Sequence, residues 1–211
     1  MSVVDDLTWH LDKADNAIAS IIFAHGAGAA FDSEFMQIVT DGLVAKGINV
    51  YRFNFPYMQQ RALDGKRRPP NRMPALEQSF AERLAKYNDD LPLFVAGKSM
   101  GSRVAALVSD HEKVLGVVAL GYPFHPPKKL EKTRLEPLLQ ATKPVLILQG
   151  ERDALGNKQD IDGYQLPKTI ELQFFADGDH DLKPRVRSGH SHQQHLAQAI
   201  ASMVQFMEQH S

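Results

Sequence analysis

Leu93-Phe94-Val95-Ala96-Gly97-Lys98-Ser99-Met100-Gly101-Ser102-Arg103-Val104-Ala105-Ala106-Leu107-Val108 runs from a short apolar stretch through a G-x-S-x-G turn into a helical pattern. A strand that reverses sharply into a helix brings neighbouring backbone too close for a Cβ, and Gly97 and Gly101 stand where that contact falls. The turn predicts Ser99 exposed above the carboxyl end of the strand. It also sets the amide of Met100 at the start of a helix, facing any oxygen that becomes negative when the serine attacks a carbonyl. One nucleophile and one oxyanion donor are therefore expected from this stretch.

Outward from it, apolar runs alternate with helical spacing. Ser20 to Ala24, Ile48 to Phe53, Leu93 to Ala96, Leu115 to Leu120, Pro144 to Leu148 and Thr169 to Phe175 read as strands. Most are apolar on both faces, as in a parallel sheet covered by helices on each side. Glu34 to Lys46, Met73 to Tyr87, Ser102 to Ser109, Leu135 to Ala141 and Gln193 to Gln209 carry the helical period. Thr8 to Leu11 reads as an added edge strand at the front. The repeated β-α-β order predicts an α/β fold: a doubly wound, mostly parallel sheet of about six to seven strands with helices on both faces. No internal repeat, low-complexity stretch or long linker divides the chain, so residues 1–211 are read as a single domain.

Composition narrows the classes of function. With 211 residues, 43% hydrophobic and 23% charged, the chain is long enough for one full core. A net charge of −1 lacks the broad basic field of a nucleic-acid binder. The absence of cysteine excludes disulfides, thiolate catalysis and cysteine-ligated metals, and fits a reducing compartment. Met-Ser-Val-Val-Asp-Asp-Leu has neither the basic nor the apolar segment of a secretory signal, and no apolar run approaches the ~20 residues of a membrane span. A soluble cytoplasmic protein without nucleic-acid or membrane partners is expected.

In a doubly wound sheet, ligands bind beyond the carboxyl ends of the strands. The first buried strand is followed by His25-Gly26-Ala27-Gly28-Ala29-Ala30, a small-residue loop that either presents a second oxyanion amide, that of Ala27, or is a plain tight turn. Gln149-Gly150-Glu151-Arg152-Asp153 and Ala176-Asp177-Gly178-Asp179-His180-Asp181 follow two later strands. The chain order Ser99, Asp153, His180 suits a nucleophile, an orienting acid and a base on this fold, the other reading of His180 being a solvated loop histidine beside carboxylates. For the acid, Glu151, Asp160, Asp177, Asp179 and Asp181 are the alternatives near in sequence.

Together these residues resemble the α/β-hydrolase superfamily. The chain is similar to dienelactone-hydrolase-like esterases and, within the superfamily, to the small group of Tex- and KANSL-type hydrolase-like domains. The more specific marks are Gly97 to Arg103, Leu120-Gly121-Tyr122-Pro123-Phe124-His125-Pro126-Pro127 and Gly178-Asp179-His180-Asp181-Leu182-Lys183-Pro184. The resemblance implies Ser-Asp-His acyl transfer on a small-molecule substrate, an ester or thioester, through an acyl-enzyme. Some members of the group look like scaffolds in chromatin complexes. A non-catalytic interaction module and an acyltransferase using the same residues therefore stand beside the hydrolase as readings.

Other residues have two readings each. Gly28, Arg103, Tyr122 and Phe124 are candidate substrate contacts. The rigid run Tyr122 to Pro127 either walls an acyl pocket or is a stiff crossover. Arg103 pairs with a carboxylate beneath the site or binds an acidic substrate group. His25 orients the oxyanion loop through its ring as a structural hydrogen-bond partner, or takes part in proton transfer. The cluster His190-Ser191-His192-Gln193-Gln194-His195 lacks metal-ligand spacing and reads as a polar helix start, and no nucleotide fingerprint is present, so no cofactor or metal is expected. The basic runs Lys66 to Arg72 and Lys183 to Arg187 are solvated surface or attract an anionic substrate. The longest connections, Asn54 to Arg72 and Gly121 to Thr142, leave no room for a large lid, which favours a shallow site.

Overall fold

The computed structural model describes residues 9–211. In chain order the elements are β1 (His10–Asp12), β2 (Ala19–Ala24), α1 (Glu34–Val44), β3 (Ile48–Phe53), α2 (Pro56–Asp64), α3 (Met73–Lys86), β4 (Leu93–Lys98), α4 (Met100–Leu107), β5 (Val114–Leu120), α5 (Glu136–Gln140), β6 (Val145–Gly150), α6 (Lys158–Asp162), β7 (Ile170–Phe175), a 3-10 turn (Val186–Ser188) and α7 (His192–Gln209). The strands form a seven-stranded sheet in the order β1-β3-β2-β4-β5-β6-β7. Only β1 runs antiparallel to its neighbour. Of the edge strand read at Thr8 to Leu11, Thr8 lies outside the described residues, and the observed strand pairs His10 with Arg52 and Asp12 with Val50.

Alternation along each strand sends side chains into two cores. On one face Ile22, Phe53, Val95, Val117 and Ile147 meet Leu76 and Phe80 of α3, Val104 of α4 and Leu138 of α5. On the other, Ile21, Phe23, Val50, Phe94 and Leu148 meet Val39 and Leu43 of α1 and Leu196, Met203 and Phe206 of α7. Each fully buried aromatic or aliphatic side chain stabilises this sandwich by about 1.5–3 kcal/mol. The central strands are buried along their whole length, which is why they read as continuous apolar runs rather than as alternating ones.

Two short helices escaped the sequence reading. Segment α2 starts with Pro56 at its first turn and buries only Tyr57 and Met58, so it shows too few apolar positions for a helical period. Segment α6 has five residues and depends on a capping box between Asn157 and Asp160.

Candidate active site

The chain leaves β2 for β3 on one side of it and then returns to the other side of β2 as β4. The loop after β2 leads to α1 on one face and the loop after β4 leads to α4 on the other. Such a reversal opens a crevice beyond the carboxyl ends of the two strands. A groove of about 440 Å³ lies there, with Ala27, Gly28, Phe35, Lys98, Ser99 and His180 among its walls.

Ser99 sits at the junction of β4 and α4 with φ 53° and ψ −114°. A non-glycine residue there costs of order 1–3 kcal/mol and persists only where its surroundings enforce it. The enforcement is visible: Ser99 donates its N–H to Leu120 O at 2.9 Å, and Ser99 O accepts from Ser102 N at 3.0 Å and from Ser102 Oγ at 2.6 Å. A Cβ on Gly97 would lie 2.0 Å from the Gly101 carbonyl carbon, and one on Gly101 would lie 2.5 Å from Ala24 O. Both glycines are therefore required by backbone contact. Met100, the first residue of α4, carries one of the N–H groups that a helix leaves without an internal acceptor.

His180 lies on the loop between β7 and α7, and its Nδ1 is 2.7 Å from Asp153 Oδ2. Asp153 is fully buried on the loop after β6. Its Oδ1 accepts from Leu155 N at 2.8 Å and its Oδ2 from Gln149 Nε2 at 2.9 Å. A carboxylate held by two other donors keeps a fixed position, and it draws the imidazole proton to Nδ1, leaving Nε2 as the basic nitrogen. Ser99 and His180 line the same groove with no direct hydrogen bond between their side chains.

The competing acids are engaged elsewhere. Asp177 pairs with Arg152 and Arg185, Glu151 with Lys158, and Asp160 with His125. Asp179 accepts the N–H groups of Asp181 and Lys183. Asp181 takes Lys98 Nζ at 3.0 Å. Lys98 also donates to the carbonyl of His180 at 2.9 Å, so its ammonium ties β4 to the loop that carries the imidazole. Burial pushes the Lys98 ammonium below its ordinary value against the pull of Asp181. Burial also opposes ionisation of Asp181, but Lys98 outweighs it and holds the carboxyl below the usual range.

His25 is fully buried, and burial lowers its pKa to about 4. Its Nε2 accepts from Phe55 N at 3.0 Å, which puts the proton on Nδ1, 2.7 Å from Gly26 O. The ring is thus a neutral brace between the loops after β2 and β3. The sequence reading overlooked Lys98, Gln149 and Tyr57. The position of Lys98 inside the G-x-S-x-G turn and that of Gln149 at the end of β6 were the available signals.

Several candidate substrate contacts are displaced. Gly28 lines the groove, but Tyr122 and Phe124 are fully buried in the core, with ring centroids 5.0 Å apart and Phe124 stacked on Tyr164 at 5.8 Å. The chain after β5 folds back, with Arg134 N donating to Phe124 O at 2.7 Å and Tyr122 Oη donating to Arg134 O at 2.8 Å. These aromatics therefore seal a crossover and do not wall the groove. Arg103, whose Nε is buried without a hydrogen-bond partner, forms no ion pair among the described residues and does not line the groove. The basic runs are in part neutralised locally, Arg68 by Asp64 and Arg185 by Asp177. His192 Nε2 and His195 Nδ1 meet the carbonyls of Asp181 and Leu182 at 2.9 and 2.8 Å, bracing the His180 loop. Among the described residues no group of three potential ligands could hold a metal ion, and no helix is long and apolar enough to cross a membrane.

Ser99 on its strained turn and His180, held by the buried Asp153 carboxylate, thus line one groove at the carboxyl end of the sheet. Residues 17–208 match the family model described as an alpha/beta hydrolase domain, and the chain belongs to that family. Among solved structures it is similar to dienelactone hydrolase from Anabaena variabilis, with 19% identity, a TM-score of 0.68, and coverage of 96% of this chain and 89% of that one. It is also similar to Est1E from Butyrivibrio proteoclasticus with ferulic acid bound, at 15% identity and a TM-score of 0.71, over 96% and 94% of the two chains. An α/β serine hydrolase without a lid from Xanthomonas campestris aligns at 16% identity and a TM-score of 0.66, over 95% and 87%. At these identities the likeness is one of fold.

Proposed function

We propose that the protein is a serine hydrolase that cleaves a small carboxylic ester or thioester through an acyl-enzyme. The observation that carries the reading is the 2.7 Å bond between His180 Nδ1 and buried Asp153, in a groove shared with Ser99 on its strained turn. Ser99 Oγ attacks the substrate carbonyl while His180 Nε2 takes the hydroxyl proton, and Asp153 stabilises the resulting imidazolium. The carbonyl oxygen becomes negative against the amides of Met100 and Ala27. Collapse of the tetrahedral intermediate expels the alcohol or thiol, which leaves with the proton from His180. Water, deprotonated by the same nitrogen, then attacks the acyl-enzyme and releases the acid and Ser99.

The shallow groove and the absence of a long insertion above it support small, water-soluble acyl substrates, and the cysteine-free composition fits a cytoplasmic setting. Within the family we place the chain in the Tex- and KANSL-type group, on its motifs Gly97 to Arg103 and Gly178 to Pro184. The test is hydrolysis of p-nitrophenyl acetate and short acyl thioesters by the wild type and by Ser99→Ala. Turnover that needs Ser99 and releases the free acid supports the reading. Transfer of the acyl group to an added alcohol in preference to water would make the protein an acyltransferase, and no turnover by the folded protein would contradict the proposal.

A further inference from the structure

Two consecutive carbonyls of the oxyanion loop converge on one hydroxyl. Tyr57 Oη, on α2, lies 2.9 Å from Ala27 O and 3.3 Å from Gly26 O, and His25 Nδ1 meets the same Gly26 oxygen at 2.7 Å. In a trans peptide the C=O of one residue and the N–H of the next point in opposite directions, and no peptide bond among the described residues is cis. Drawing the Gly26 carbonyl toward His25 and Tyr57 therefore turns the Ala27 N–H away from them. Drawing the Ala27 carbonyl toward Tyr57 does the same to the Gly28 N–H. His25 and Tyr57 are buried, whereas Ala27 and Gly28 are exposed on the groove, so both amides turn toward the groove. Among the described residues neither amide has an acceptor within the protein. Successive free N–H groups of this kind make a concave site for an anionic oxygen.

We propose that Tyr57 is a positioning residue that holds the oxyanion loop, and that the oxyanion is received by three amides, those of Ala27, Gly28 and Met100. The inference rests on the ester hydrolase reading and adds to it the Tyr57 tether and the Gly28 donor. Tyr57 is itself anchored, its N–H donating to Asn71 Oδ1 at 2.9 Å. Burial raises its phenol to about 12, so the hydroxyl remains a donor throughout the range in which a serine hydrolase works.

The experiment is Tyr57→Phe, which keeps the buried ring and removes only the O–H. The measurements are kcat and KM for a short ester, the affinity of a trifluoromethyl ketone that forms a hemiketal oxyanion with the serine, the melting temperature, and the amide resonances of Ala27 and Gly28. The expected result is kcat lower by about tenfold with KM within about twofold, ketone affinity weaker by about tenfold, and both amide resonances shifted. A variant with unchanged kcat and unchanged ketone affinity overturns the proposal. So does one whose only change is a lower melting temperature, since that is a structural role alone. A wild type inert toward both esters and ketone defeats the hydrolase reading and the three-amide oxyanion site with it. The tether is then judged on the resonances: unshifted amides overturn it and shifted ones support it.

Discussion

At the scale of single residues, the proposed mechanism depends on fixing one proton. Asp153 is aimed by Leu155 N and Gln149 Nε2, so its Oδ2 meets only the Nδ1 side of His180. Asp153→Asn keeps the volume but puts an amide donor or a weaker acceptor at that place, which favours the tautomer with its proton on Nε2. The expected outcome is a fall in kcat on the order of 10³–10⁴-fold with little change in KM, measured on a short ester. Equal loss in KM would point to distorted binding instead. The residues of this site were unequally legible in the sequence. Ser99, Asp153 and His180 each follow a strand, a placement that a periodicity reading finds. Tyr122 and Phe124 also follow a strand, yet they fold into the core, because the direction taken by a strand-end loop is set by distant contacts such as the Arg134 backbone. Lys98 was hidden because a lysine in a turn reads as surface until its own burial and its partners, the His180 carbonyl and Asp181, are seen.

At the scale of elements, the turn between β4 and α4 and the His180 loop form one unit. A methyl group on Gly101 would press on the Ala24 carbonyl of β2, backbone that cannot swing aside as a side chain would. Gly101→Ala is expected to destabilise the fold by about 1–3 kcal/mol and to displace Ser99, read as a lower melting temperature together with lost turnover. A variant of wild-type stability and activity would show that the turn has room to spare. Lys98 joins β4 to the loop after β7 through the His180 carbonyl. Lys98→Met retains the apolar stem but cuts that tie. Faster amide hydrogen exchange over residues 176–185 and a kcat reduced by about tenfold are expected, whereas unchanged exchange would mean that the His192 and His195 braces suffice alone. The strands were read to within about two residues of their observed ends, because burial on both faces leaves a continuous apolar signature. Segments α2 and α6 left little signature, being held by a few tertiary and capping contacts rather than by an apolar stripe. The missed α2 carries Tyr57, so its loss from the sequence reading concealed a part of the site.

At the scale of the whole molecule, the site and the stability of the fold share a titration. His25 is neutral when folded, with a pKa of about 4 caused chiefly by burial, against 6.5 when unfolded. Between those values the unfolded chain binds a proton that the folded chain refuses, so acid favours unfolding. This contribution is fully present above pH 6.5 and is lost as pH falls toward 4. It amounts to about 3 kcal/mol across the window. Urea unfolding from pH 7 to 4 should show that slope in the wild type and a shallower one in His25→Asn, and equal slopes would remove His25 from the account. The sheet order places the groove at its reversal point; the alternation of strands and helices made legible only that ligands bind beyond the carboxyl ends of the strands. The central claim is that Ser99 is an activated nucleophile, and its most direct test is covalent labelling by a small fluorophosphonate, read by intact mass. The account expects one adduct on the wild type and none on Ser99→Ala or His180→Ala. A folded wild type that stays unlabelled under conditions that modify a control serine hydrolase would contradict it.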